Sequence, residues 1–156
     1  MNKIVAIVGM AGSGKSIASS YFNNKGYNLV YFGGVIYEKM KEEGIEITPD
    51  SQKEFREKIR KEHGMGVVAK LLLPKIKKLY SEGNVILDGL YSWDEYKILK
   101  EEFKDLVVIA IVCDKKLRYD RISKRKERAF NKEEIIRRDV TEIENSAKGG
   151  PIAYAD

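Results

Sequence analysis

One cysteine, one histidine, one tryptophan and three prolines in 156 residues put several classes of protein out of reach. Cys113 alone cannot build a disulfide framework, and with only His63 beside it no Cys/His zinc centre can form. The default that follows is cytoplasmic residence. No apolar run approaches the roughly 20 residues that span a bilayer. The first eight residues lack a hydrophobic stretch with a small-residue cleavage site, so they read as a strand rather than a signal peptide. Repeats, Ser/Pro-rich linkers and low-complexity tracts are also missing, which leaves one domain over residues 1–156.

What is present is the composition of a soluble globular chain, 43% apolar and 34% charged. A net charge of +5 suits a phosphate-binding enzyme or a nucleic-acid binder, and charge alone does not choose between them. Ile4 to Val8 is a β-branched run that ends in a glycine-rich turn. The spacing then predicts a helix from Ser16 to Asn24, a strand from Asn28 to Phe32, and a break at Gly33-Gly34. A helix is expected over Val35 to Glu43 and a charged one through Glu62, with Thr48 or Asp50 as its cap. Val67 to Tyr80 reads as a helix that Pro74 should kink or divide. Asn84 to Asp88 and Leu106 to Cys113 read as strands buried on both faces. Between them Ser92 caps a helix, with Glu95 as its capping-box partner. A long helix should follow Asp114, break near Phe130-Asn131, and resume from Lys132 to about Asn145. The chain ends at Pro151 to Asp156 without a final strand pattern, as if a late element were missing. This alternation predicts an α/β domain.

Gly9-Met10-Ala11-Gly12-Ser13-Gly14-Lys15-Ser16 fits G-x-x-x-x-G-K-[ST] in full, between a strand and a helix. Its glycines let the backbone curl until N–H groups face a phosphate, and the helix adds its N-terminal dipole. Lys15 should reach the β- and γ-phosphates of ATP, and the Ser16 hydroxyl should ligate Mg²⁺. Val85-Ile86-Leu87-Asp88 supplies the second element, an apolar strand ending in a carboxylate that holds Mg²⁺ directly or through water. The bland alternative for Asp88 is an ordinary Asp-Gly turn.

Arg118, Arg121, Arg125 and Arg128 recur at three- and four-residue spacing, which puts them on one helix face. Guanidinium forks match phosphate oxygens, so these are the candidate catalytic arginines; the competing reading is a solvated helix paired with Asp120, Glu127 and Glu134. His63 and Cys113 read as a helix-end residue and a core residue. Tyr31, Tyr37 and Tyr91 are candidates to stack on a base.

With these segments in place the chain resembles the nucleoside-monophosphate-kinase-like P-loop kinases, and most closely a largely archaeal group related to dephospho-CoA kinase and adenylate kinase. The likeness runs through the P-loop, Tyr31 to Ile36, Arg60 to Gly66, Val85 to Gly89 and Leu117 to Arg121. It implies a three-layer α/β/α P-loop NTPase fold with a mostly parallel sheet, a helical acceptor-binding insertion over about 33–80 and a short lid over about 125–132. Arg137 and Arg138 join the lid candidates on this resemblance. Relatives often carry Gly-Asp and then an arginine that grips the acceptor phosphate; here Gly33-Gly34-Val35-Ile36-Tyr37 stands instead, and Arg56 or Arg60 is left to take that part.

The leading expectation is a kinase that passes the γ-phosphoryl of Mg·ATP to a small nucleotide-like acceptor. A regulatory ATPase or NTP-dependent switch is the alternative. A GTPase is disfavoured because no Asn-Lys-x-Asp signature occurs. Nucleic-acid binding through the basic helix ranks last, since no base-reading motif accompanies the charge. No membrane partner is expected.

Overall fold

Ile4–Val8 (β1) is buried along its whole length, as a β-branched run flanked by strands on both sides must be. The computed structural model describes residues 1–126 and 130–156. After β1 come Lys15–Asn24 (α1), Asn28–Tyr31 (β2), Phe32–Glu42 (α2), Pro49–His63 (α3) and Val67–Glu82 (α4). Val85–Asp88 (β3), Trp93–Glu102 (α5), Val107–Ala110 (β4), Lys115–Ser123 (α6), Lys132–Ser146 (α7) and Gly149–Ala153 (α8) complete the order.

The sheet runs β2-β3-β1-β4, with every pairing parallel. Its two faces are apolar for different partners. Ile4, Ala6, Val8, Val85, Leu87 and Val108 join the core built with α2, α4 and α5. Val5, Ile7 and Ile86 pack on the opposite face with Ala18 and Phe22 of α1. Parallel crossovers are right-handed, so a chain that moves one way from β1 to β2 and the other way from β3 to β4 must put its helices on opposite faces. The reversal falls at β1, and the crevice beyond its carboxyl end is where ligands of open α/β sheets bind. The chain end reaches the edge strand β4: the Asp156 N–H donates to the Val108 carbonyl at 2.9 Å.

Four expectations change here. Gly33 and Gly34 do not break the chain but lie in the first turn of α2. A β-carbon at Gly33 would stand 2.6 Å from the exposed Tyr31 ring, which would have to turn aside. Pro74 does not divide α4, which runs unbroken through it because Leu72 and Ile76 on either side are buried in the core. That burial outweighs the roughly 3 kcal/mol a proline costs inside a helix. The strand expected over Leu106 to Cys113 is only Val107–Ala110, and the helix after Asp114 is nine residues, not a long one.

Candidate phosphate-binding site

The loop between β1 and α1 bends where the sequence supplies glycine. Gly12 takes φ 78° and Gly14 φ 103°, left-handed values that favour glycine. Gly12 also has no space for a side chain, because a β-carbon would meet the Arg118 carbonyl oxygen at 2.9 Å. The turn is closed by the Ser13 N–H donating to the Met10 carbonyl at 3.2 Å. The Lys15 ammonium folds back over the loop to the same carbonyl, also at 3.2 Å. No side chain caps α1, so the helix dipole and its first N–H groups are left for a ligand.

The Ser13 hydroxyl is buried with no hydrogen-bond partner. An orphaned donor inside a glycine cradle, beside a lysine and a helix start, fits a phosphate chemically. Burial first, then the charge of Lys148, pulls the Lys15 ammonium down to about 8. The charge of a polyanion would offset both causes.

Asp88 ends β3 opposite Ile7 of β1, one strand from the loop. Burial raises its pKa, while a hydrogen bond from Ser19 and the charge of Lys15 hold it down. Among the described residues no group of three or more His, Cys, Asp or Glu side chains could hold a metal alone. Ser16 and Asp88 are oxygen donors of the kind Mg²⁺ takes, and with a ligand's phosphate oxygens they could hold one.

The arginines divide. The face predicted for Arg118, Arg121, Arg125 and Arg128 does not extend that far, because α6 ends at Ser123. Arg118 turns inward: its Nη2 donates to Asp139 at 2.6 Å and its Nη1 to the Ala11 carbonyl at 2.9 Å. It therefore ties the phosphate loop to α7. Arg121 reaches the Gly12 carbonyl at 3.3 Å and Cys113 Sγ at 3.4 Å from an exposed position. Arg125 lies past the helix end, and Arg128 lies outside the described residues.

A second set faces the loop from the far side, and sequence reasoning missed part of it. Lys148 is 2% exposed, with its ammonium 2.6 Å from Glu142 and 5.2 Å from the centre of the Tyr91 ring. Tyr91 in turn lies against Gly89, next to Asp88. Glu142 also accepts from Arg138 Nε at 3.1 Å. Arg56 and Arg60 stand one turn apart on α3, and Arg60 faces buried Glu95 at 3.9 Å. The only hint in the sequence is an isolated lysine before Gly149-Gly150, and only the fold brings it to Lys15. A concavity of about 640 Å³ between α6 and α7 is lined by Asp114, Tyr119 and Lys132 among others and shares no residue with the loop.

The chain is similar to several known proteins. The AAA domain family model matches residues 5–143. A UPF0200 protein of Sulfurisphaera tokodaii is 37% identical over 99% of this chain and 84% of its own length. Among solved structures, TT1252 from Thermus thermophilus aligns at TM-score 0.61 with 14% identity, covering 99% of this chain and 85% of that one. A gluconokinase from Sinorhizobium meliloti 1021 aligns at TM-score 0.51 with 18% identity, covering 90% and 74%. At such identities the structural likeness is one of fold. No described helix is long and apolar enough to cross a membrane.

Proposed function

The chain belongs to the UPF0200 family and carries an AAA-type P-loop domain, and from that premise we propose that it is a small-molecule kinase of the cytoplasm. It transfers the γ-phosphoryl of Mg·ATP to a nucleotide-like acceptor, with nucleoside monophosphates, nucleosides and dephospho-CoA as the candidates. The acceptor oxygen attacks the γ-phosphorus, the bond to the β–γ bridging oxygen breaks, and ADP leaves. The observation that carries this reading is the glycine cradle with its orphaned Ser13 hydroxyl and folded-back Lys15.

In this reading the backbone of Gly9 to Ser16 holds the phosphates and Lys15 neutralises the β–γ bridge. Ser16 and Asp88 would hold Mg²⁺, which supplies charge neutralisation when bound. Residues from about 33 to 80 would form the acceptor-binding insertion and those from about 125 to 132, of which 127–129 lie outside the described residues, the lid. Arg121, which reaches the Gly12 carbonyl, and Arg125 are then the candidates for the transferring group; Arg128, the third candidate, lies outside the described residues. Arg118, already forked to Asp139, acts by holding the loop. Catalysis of this kind is positioning and charge stabilisation in a site closed to water.

The alternative, a regulatory ATPase with no acceptor, is favoured by one observation. Gly34 and Tyr37 stand where the resembling kinases carry polar acceptor contacts. ADP release from Mg·ATP across an acceptor panel, with Lys15→Ala as control, separates the two. Stoichiometric turnover with one acceptor that Lys15→Ala abolishes is the expected result. Slow release indifferent to every acceptor would leave the regulatory ATPase.

A further inference from the structure

α7 carries apolar residues on two sides, and the fold covers one of them. Ile135 packs inward with Ala11 and Ile122, and Asp139 on the same side holds Arg118. Ile136, Val140 and Ile143 follow the four- and three-residue spacing of a single stripe on a different side of the helix. They are 39%, 44% and 52% exposed. One such residue on a surface needs no explanation, but a line of them along a helix is the pattern of a face that packs on something.

The stripe borders a groove. Ile136 lines the concavity between α6 and α7, and Tyr119 lines it from α6. Val140 and Ile143 continue the line of Ile136 along α7. The rim is basic: Lys115, Lys116 and Lys132 line the same concavity, and among the described residues none of them makes an ion pair. Lys115 and Lys116 begin α6, at the end whose dipole repels cations, so helix stability does not account for them. Of the two carboxylates in the lining, Asp114 is engaged in capping α6, where it accepts from the N–H groups of Lys116 and Leu117 at 2.9 and 3.2 Å. Only Asp120 is left to balance the lysines of the lining.

We propose that the α6–α7 groove docks an acidic amphipathic helix of a partner protein. Its apolar residues would seat against Ile136, Val140, Ile143 and Tyr119, and its flanking carboxylates against Lys115, Lys116 and Lys132. An apolar line at helical spacing beside a concave wall is the form in which a groove receives a helix. The charge selects the sign of the partner: an acidic helix is drawn in, and a second copy of this chain, with its net charge of +5, is repelled. A nucleic-acid backbone would use the lysines and leave the three aliphatic side chains without a partner. The same two helices hold the phosphate loop from their inner sides, through Arg118, which donates to the Ala11 carbonyl and to Asp139. The partner thus sits on the outer side of elements that shape the nucleotide site.

The test is fluorescence anisotropy of labelled helical peptides, about five turns long, titrated with the full chain. One peptide carries leucines at the spacing of the α7 stripe with glutamates on both flanks. A second has lysine for every glutamate, and a third has the composition of the first in scrambled order. The first should bind about tenfold or more tightly than either control and weaken as salt rises. Val140→Glu should abolish that binding, and Lys115→Glu/Lys116→Glu should shift the preference to the lysine peptide. Both variants change exposed side chains, so an unaltered Tm shows that the fold is kept. No binding, equal binding of the peptides, or binding indifferent to Val140→Glu overturns the site. Sedimentation of the chain alone and titration with a generic DNA duplex cover the other occupants. Self-association that Val140→Glu abolishes would give the face to a second copy. Salt-sensitive duplex binding without peptide binding would give the lysines to nucleic acid, and either result overturns the proposal.

Discussion

Gly12 and Arg118 show how closely one position in the phosphate loop depends on another far along the chain. A β-carbon on Gly12 would press on the Arg118 carbonyl at 2.9 Å, and that residue cannot retreat without losing its fork to Asp139. The left-handed φ of 78° adds strain for any other residue. Gly12→Ala should therefore lower affinity for a fluorescent ATP analogue about tenfold or more and cost about 1–3 kcal/mol of stability. Gly14→Ala, with open space around it, should show the backbone strain alone. Arg118 makes a separate prediction. Its side chain and that of Asp139 are 8% and 9% exposed, and Arg118→Ala would strand a buried carboxylate. The expected loss in urea unfolding is about 3–5 kcal/mol, with the Arg118→Leu/Asp139→Leu double variant losing less than the two single changes combined. A large fall in turnover with stability unchanged would instead make Arg118 a catalytic residue.

The start of α5 carries a stability effect that depends on pH. Ser92 and Glu95 close a reciprocal capping box, visible in the sequence as Ser-x-x-Glu before an apolar run. What the sequence does not tell is that Glu95 is fully buried, which pushes its carboxyl up to about 7 from 4.5. The folded state then binds the proton more tightly than the unfolded one, so stability falls as pH rises from about 4.5 to about 7. The loss from this group is at most about 3 kcal/mol. Glu95→Gln keeps an oxygen for the two backbone N–H groups, and it should flatten the dependence of the urea midpoint between pH 5 and pH 8. An unaltered slope would clear Glu95 of the effect. The same division between local and distant causes explains what could be read in advance. Caps at Thr48, Ser92, Asp114 and Asn131 and the glycines of the phosphate loop are local chemistry, fixed within a few residues. Pro74 left undivided is decided by the core, which is assembled from elsewhere in the chain.

The candidate site was legible in the same uneven way. Lys15, Ser16 and Asp88 follow from motif and strand pattern, whereas Lys148 and Glu142 reach the loop only because α7 packs on α6 and α8 packs on β4 and α5. That packing has identifiable anchors. Trp93 stacks on Tyr96 and meets Tyr154 edge-on, and Gly150 lies so close to Trp93 that a β-carbon would stand 2.8 Å from its ring. The segment carrying Lys148 is thereby pinned, with Ala147 at φ 48° turning the chain out of α7. A lysine 2% exposed is costly to desolvate, and its gain is the Glu142 contact that also fixes Arg138. Lys148→Met keeps the length and removes the charge, so Glu142 becomes free to swing with Arg138. If the pair serves to aim Arg138 between donor and acceptor, turnover should fall about tenfold while KM for ATP moves less than about threefold. Lys148→Arg should recover part of the loss. A drop in Tm with turnover intact would assign the pair to folding alone, because a structural ion pair has no reason to separate kcat from KM.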